Sequence, residues 1–333
     1  HARKAAIDAT GRGDADATRR NTGTVSLGEA MAAKHRADQG IDLDPKRVIA
    51  TAGGSEALHI ALEAHVSAGE EVIVPDPGFV SYDALTRLAG GTPVPVPLRD
   101  DDTIDPAAIE AAITEDTAAF VVNSPGNPTG AVSPPEDVRE FARIADEHDV
   151  LCLSDEVYEY TVFEGEHRSP MEFADRDSVV VVNSASKLFS MTGWRLGWVY
   201  GSAERVDRML RVHQYAQACA SAPAQYAAEA ALRGDRSVVD EMTASFRRRR
   251  DILLDGLEDA GIECPTPRGA FYAMPRVPEG FVDACLDRGV VVVPGSAFGA
   301  GGRGSARISY ATAEADLREA IDVMAAAAEA VRE

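Results

Sequence analysis

"SVVVVNSASKLFSMTGWRLGWVYG", residues 178–201, decides how the chain is read. Four consecutive valines closed by Asn183 and Ser184 form the short apolar run of a strand buried on both faces, the kind found in parallel sheets. "WRLGWVYG" at 194–201 reads as a further strand returning from the loop. Lys187 therefore emerges at a sheet edge. The chain has 33 Lys and Arg residues but only four lysines (Lys4, Lys34, Lys46 and Lys187), so 29 are arginine. Taken alone, Lys187 could be a surface lysine. A partly desolvated lysine, however, can lose its proton and act as a Schiff-base nucleophile or general base, whereas arginine stays protonated. Ser184 and Arg195 flank it at −3 and +8, a hydroxyl and a guanidinium suited to anchoring a phosphate.

Outward from this stretch, further apolar runs bounded by turn residues predict strands at 70–76, 118–125 and 150–156. Helical patterns lie between them, over Ser55–Ser67, Tyr82–Ala89 and the segment "SPPEDVREFARIADEHD", with Ser133 as N-cap and Pro134 at the first helical position. "HARKAAIDAT" at the start also reads as a helix. Alternation of strand and helix implies an α/β layer architecture with a mainly parallel sheet, and active residues at the carboxyl ends of its strands. After about residue 235 the texture changes. A long helical stretch to Ala260, the segments "GIECPTPRGAFYAMP", "GVVVVPGSAFG" and "SARISYAT", and a last helix from Glu314 predict a smaller α+β domain. We expect a large domain over 1–235 and a small one over 236–333. "GAGGRG" at 299–304 is expected to be a mobile loop.

Of the 333 residues, 45% are hydrophobic, enough for a sizeable core, and no run nears the roughly 18 apolar residues of a membrane span. The opening residues lack a signal-peptide pattern, and we expect N-terminal residues ahead of His1. Cys152, Cys219, Cys264 and Cys285 are scattered, without metal-ligand spacing, as free thiols in a reducing cytoplasm would be. A net charge of −21 opposes binding to nucleic acid phosphates. Acids spread along the whole chain, with lysine scarce, fit a cytoplasm rich in salt, where screening limits self-repulsion. The one basic cluster, Arg247–Arg250, is expected on a solvated helix face.

Three more segments could carry chemistry. "TAGGSEAL" at 51–58 puts two glycines before a helix start, where free N–H groups and Ser55 could receive an anion; an ordinary capping turn reads the same way. "SDEVYEY" at 154–160 leaves Asp155 at the end of a strand, as a structural cap or as the partner of a protonated pyridine nitrogen, with Tyr158 able to bond a ring hydroxyl. "NSPGNPTG" at 123–130 is a turn in which the next proline fixes Asn127.

Together with "ARISYA" at 306–311, these segments resemble the fold type I pyridoxal-phosphate enzymes, specifically the class I/II aminotransferases, over nearly the whole chain. The resemblance implies pyridoxal 5'-phosphate as cofactor and roles for individual residues. Lys187 would be the Schiff-base lysine and proton shuttle, Asp155 the partner of the pyridine nitrogen, and Tyr158 and Asn127 the contacts of the ring oxygen. Phe79, in "PDPGFVSY", would stack on the ring. Gly54, Ser55, Ser184 and Arg195 would bind the phosphate. Arg307 would grip the substrate α-carboxylate, with Asn127 nearby.

The implied reaction transfers an amino group from an L-amino acid, aspartate-type by overall resemblance, to a 2-oxo acid such as 2-oxoglutarate. The enzyme would act as a cytoplasmic homodimer, with no nucleic acid or membrane partner. A C–S lyase or an aminocyclopropane-carboxylate synthase would use the same lysine, and an aminotransferase-like regulatory domain would need a basic DNA-binding module. Three features depart from the family pattern. The usual N-terminal segment is absent before His1. Residues Thr18–Asn21 stand where a tyrosine often reaches the partner's phosphate. Phe79 replaces a larger tryptophan.

Overall fold

The computed structural model describes residues 1–175 and 177–332. Seven strands form the main sheet: β1 (Val48–Thr51), β2 (Glu71–Asp76), β3 (Thr92–Pro97), β4 (Thr117–Asn123), β5 (Leu151–Asp155), β6 (Val179–Ser184) and β7 (Gly197–Tyr200). Their spatial order is β1-β7-β6-β5-β4-β2-β3. All neighbours are parallel except β7, which runs against both β6 and β1. The valines of β6 are fully buried, as a strand covered by helices on both faces requires.

Two strands escaped the sequence reading. β1 is only four residues long, and "TPVPVP" in β3 carries three prolines that cannot donate to a ladder. The structure resolves the second case by placing β3 at the sheet edge, paired with β2 alone.

One expected cap is corrected. The third predicted helix runs Pro135–His148, and its N-cap is Pro134, without a side-chain cap. A residue preceding proline is pushed into extended backbone, so Pro134 cannot be helical and the helix starts one residue later. Ser133 instead donates its N–H to Ser124 Oγ at 2.9 Å.

Beyond the main sheet, β8 (Tyr272–Ala273), β9 (Val293–Pro294) and β10 (Ala306–Ser309) form an antiparallel sheet in the order β8-β10-β9. It shares a hydrophobic cluster with Phe246, Leu253 and Leu257 of helix Ser237–Asp259, Phe281, and Leu317 and Met324 of helix Glu314–Arg332. The Arg247–Arg250 expectation fails at its last member. Arg250 is 4% exposed, because it follows Phe246 by four residues and precedes Leu253 by three, on the helix's inner stripe. It donates to Glu164 Oε1 at 2.9 Å and to the Pro267 carbonyl at 3.1 Å.

The 299–304 segment is also not a free loop. Its turn Ala300–Gly302 docks on the end of β2, where Gly301 N–H donates to Asp76 Oδ1 at 2.9 Å. Just before it, the Phe298 carbonyl accepts from Gly78 N–H at 2.9 Å.

Candidate active site

Parallel register aligns the ends of β4, β5 and β6, with Asn123 opposite Asp155 and Asp155 opposite Val182. The chain leaves the sheet there three times, into the Asn127 turn, the Asp155–Tyr158 turn and the short helix Ala185–Leu188 that carries Lys187. Helix Gly54–His65 points its N-terminus at the same edge. Two glycines permit the close approach: a Cβ on Gly197 would lie 2.6 Å from Gly54 N, and one on Gly53 would strike the Arg195 guanidinium.

These elements enclose a cavity of about 270 Å³. Gly54, Ser55, Phe79, Asn127, Asp155, Tyr158, Ser184, Lys187, Arg195 and Arg307 all line it. Residues spread over more than 250 positions thus meet around one space. Tyr82, Asn123, Ser186, Thr192 and Tyr272 also line it and were not singled out in the sequence. Tyr82 and Asn123 lay in quoted segments, but nothing local distinguished them from packing residues.

Burial, then the charges of Arg195 and Arg307, pull the Lys187 amine below the ordinary lysine range, with Asp155 opposing. The neutral amine is thereby favoured. Burial pushes the Asp155 carboxyl up to about 6, against hydrogen bonds from Tyr82 and the Val157 N–H. Tyr82 Oη donates to Asp155 Oδ2 at 2.8 Å, and its ring meets Phe79 edge-on, with centroids 5.6 Å apart. Tyr158 Oη donates to Tyr272 Oη at 3.2 Å.

Asn127 is held by more than its proline. Its N–H donates to Asn123 Oδ1 at 2.8 Å, and Asn123 Nδ2 donates to the Asp155 carbonyl at 2.9 Å. Arg307, one residue into β10, lies between the rings of Tyr272 and Phe298, its Cζ 4.7 Å from each centroid. Arg195 takes left-handed backbone and donates to the carbonyls of Thr192 and Ala52, both at 3.1 Å. Ser184 caps the Lys187 helix: its Oγ accepts from Ser186 N–H at 3.1 Å and donates to the Leu196 carbonyl at 3.1 Å.

The other face of the Asp155–Tyr158 turn is anchored separately. Glu159 pairs with Lys34 at 2.6 Å and accepts from Asn183 Nδ2 at 2.6 Å. Glu156 accepts from Ser169 Oγ at 2.6 Å and lies 3.2 Å from His167 Nε2. Lys34 is thus a buried lysine used as a counter-ion, whereas Lys187 is only partly buried. Glu156, Glu159 and His167 have the closeness of metal ligands, but Lys34 already balances one carboxylate. Burial would lower the His167 pKa, yet the hydrogen bond and charge of Glu156 raise it, which favours a second cation there.

The cavity suits pyridoxal phosphate on two observations. Ser186 Oγ and Arg307 Nε line it as buried donors without a protein partner, as oxyanion recognition needs. The approach of Gly53 to Arg195 also leaves the start of helix Gly54–His65 beside a guanidinium, a combination that favours a phosphate.

Comparison with known proteins agrees. The family model "Aminotransferase class I and II" matches residues 1–324. The chain is 42% identical to the putative aminotransferase YugH of Bacillus subtilis, over 90% of this chain and 81% of that one. It is 41% identical to the aspartate/prephenate aminotransferase of Thermus thermophilus (90% and 80% covered) and 40% identical to aromatic-amino-acid aminotransferase 2 of Thermococcus litoralis (91% and 82%). Among solved structures, a double mutant of the Thermus thermophilus aspartate aminotransferase superposes with a TM-score of 0.95 at 39% identity, covering 98% of this chain and 87% of that one.

Proposed function

Because the chain belongs to the class I and II aminotransferases, we propose that it moves the amino group of an L-amino acid, aspartate-type by preference, to a 2-oxo acid such as 2-oxoglutarate. The observation that carries this reading is the convergence of Lys187, Asp155, Arg195 and Arg307 on one cavity.

When bound, pyridoxal phosphate supplies an electron-accepting ring. Lys187 would hold its aldehyde carbon and, as a neutral amine, take the proton from the substrate Cα and return it elsewhere. Asp155 would keep the ring nitrogen protonated. Tyr158 and Asn127 would bond the ring oxygen, and Phe79 would cover one ring face. Gly54, Ser55, Ser184 and Arg195 would hold the phosphate. Arg307, free at Nε, would take the substrate α-carboxylate in a fork beside Asn127.

One observation favours a second reading of the donor. Lys187, Arg195 and Arg307 are the only cations among the described residues lining the cavity, while Phe79, Tyr158 and Tyr272 contribute rings. With the arginines assigned to phosphate and α-carboxylate, an aromatic side chain also fits. Comparing kcat/KM for aspartate and phenylalanine with 2-oxoglutarate distinguishes the two donors. Lys187→Ala tests the class: turnover and the visible absorption of lysine-held cofactor should both vanish, and retained activity would refute the assignment.

The setting belongs to the same proposal. Residues 236–333 would form a smaller unit that delivers Arg307 to the site, in a homodimer working in a salt-rich cytoplasm. For the salt-rich cytoplasmic setting, support comes from the charge of −21 and from four free cysteines.

A further inference from the structure

Asp155 is buried and lines the cavity, and one of its carboxylate oxygens is engaged by Tyr82, a side chain without a role in the reading above. We propose that Tyr82 is a positioning residue, whose hydroxyl fixes Asp155 Oδ2 so that the carboxylate stays ionised and faces the ring nitrogen of the cofactor. This rests on the reading of Asp155 given above.

The geometry is specific. Tyr82 is 1% exposed, its hydroxyl lies 2.8 Å from Oδ2, and the Val157 N–H approaches Oδ1 at 3.3 Å. A buried carboxylate can rotate or protonate unless donors hold it. The backbone is pinned independently, since Asn123 bonds the Asp155 carbonyl. Tyr82 therefore acts on the carboxylate itself. Its ring also meets Phe79, so one side chain touches both the acid assigned to the ring nitrogen and the aromatic assigned to the ring face.

The groups that face Asp155 are few. Tyr82 comes from helix Ser81–Leu88, Lys187 from helix Ala185–Leu188, and Glu156 and Tyr158 from its own turn. Burial and Glu156 favour the protonated acid, whereas Tyr82, Val157 N–H and Lys187 favour the ionised one. Tyr82 itself stays protonated, because burial beside Asp155 raises its pKa far above neutrality, so it can only donate.

The test uses purified protein and pyridoxal phosphate, with affinity followed by fluorescence titration from about pH 5 to about pH 9. In the wild type, affinity should fall as the pH drops through about 6 and Asp155 protonates. Tyr82→Phe keeps the ring against Phe79 and removes only the donor. It should move that midpoint up by about one pH unit, a roughly tenfold effect for a hydrogen bond to a charged group. Asp155→Asn should remove the Asp155 part of the dependence and leave only that of the cofactor phosphate, which titrates in the same range. An unmoved midpoint in Tyr82→Phe, with the profile of Asp155→Asn flattened relative to the wild type, overturns the role of Tyr82 alone. A profile in Asp155→Asn identical to that of the wild type overturns the reading of Asp155 as well.

Discussion

Arg307 Nη1 donates a hydrogen bond to Asn127 Oδ1 at 3.2 Å, although 180 positions separate them. Asn127 stands on a turn after β4, and Arg307 on the small antiparallel sheet. The contact joins two separate parts of the fold across the cavity that both residues line.

Arg307→Ala should raise KM for every amino acid by about 10²-fold, the scale expected when a partly buried, hydrogen-bonded charged partner is lost. Cofactor content should be nearly unchanged. Arg307→Lys should restore little, because a single ammonium cannot form the two parallel bonds of a guanidinium held between Tyr272 and Phe298. Steady-state kinetics with cofactor quantification checks both outcomes.

The depressed Lys187 pKa depends on burial first and on Arg195 next. Removing that positive charge stabilises the protonated amine. In cofactor-free protein, Arg195→Gln should therefore move the pH profile for acylation of Lys187 to higher pH, as read by mass spectrometry. A shift to lower pH would contradict the electrostatic account.

Asp155 gives a stability prediction with a definite sign. Its folded-state pKa is raised from 3.8 to about 6. Its contribution is therefore most favourable below the unfolded value and is lost as the pH rises through about 6. Asp155→Asn removes that loss and should stabilise the cofactor-free protein by about 2–3 kcal/mol at pH 8. The gain should disappear below about pH 4. Urea unfolding at the two pH values measures it, and the same variant should be catalytically impaired.

Arg250 is buried, but its carboxylate partners Glu164 and Asp251 are about half exposed. Those pairs alone contribute little. Truncation also loses the contact with the Phe163 ring and leaves the Pro267 carbonyl unpaired. Arg250→Ala should destabilise the protein by about 2–3 kcal/mol in urea unfolding, and Arg250→Met, which keeps the volume, by about half of that.

Much of the fold was legible along the chain because buried parallel strands are continuous apolar runs; β2, β4, β5 and β6 stood out for that reason. β1 and β3 did not, the first because four residues carry little pattern, the second because its prolines are acceptable only at an edge. Arg250 was misplaced for a related reason. A run of four arginines looks solvated until the helix phase set by Phe246 and Leu253 turns one of them inward.

The sequence by itself determined the chemistry: a lysine where arginine was otherwise preferred, with Asp155, Asn127, Arg195 and Arg307 in segments whose residue types suit a phosphate, a protonated ring and a carboxylate. Only the tertiary structure decided which side chains hold those groups in place. Tyr82 under Asp155, Asn123 behind Asn127 and the two rings around Arg307 act across distances in sequence that no local pattern records. Their roles arise from aligned strand ends and from the packing of the small sheet over them. Residue type is a property of the chain, but the direction of a hydrogen bond exists only once the chain has folded.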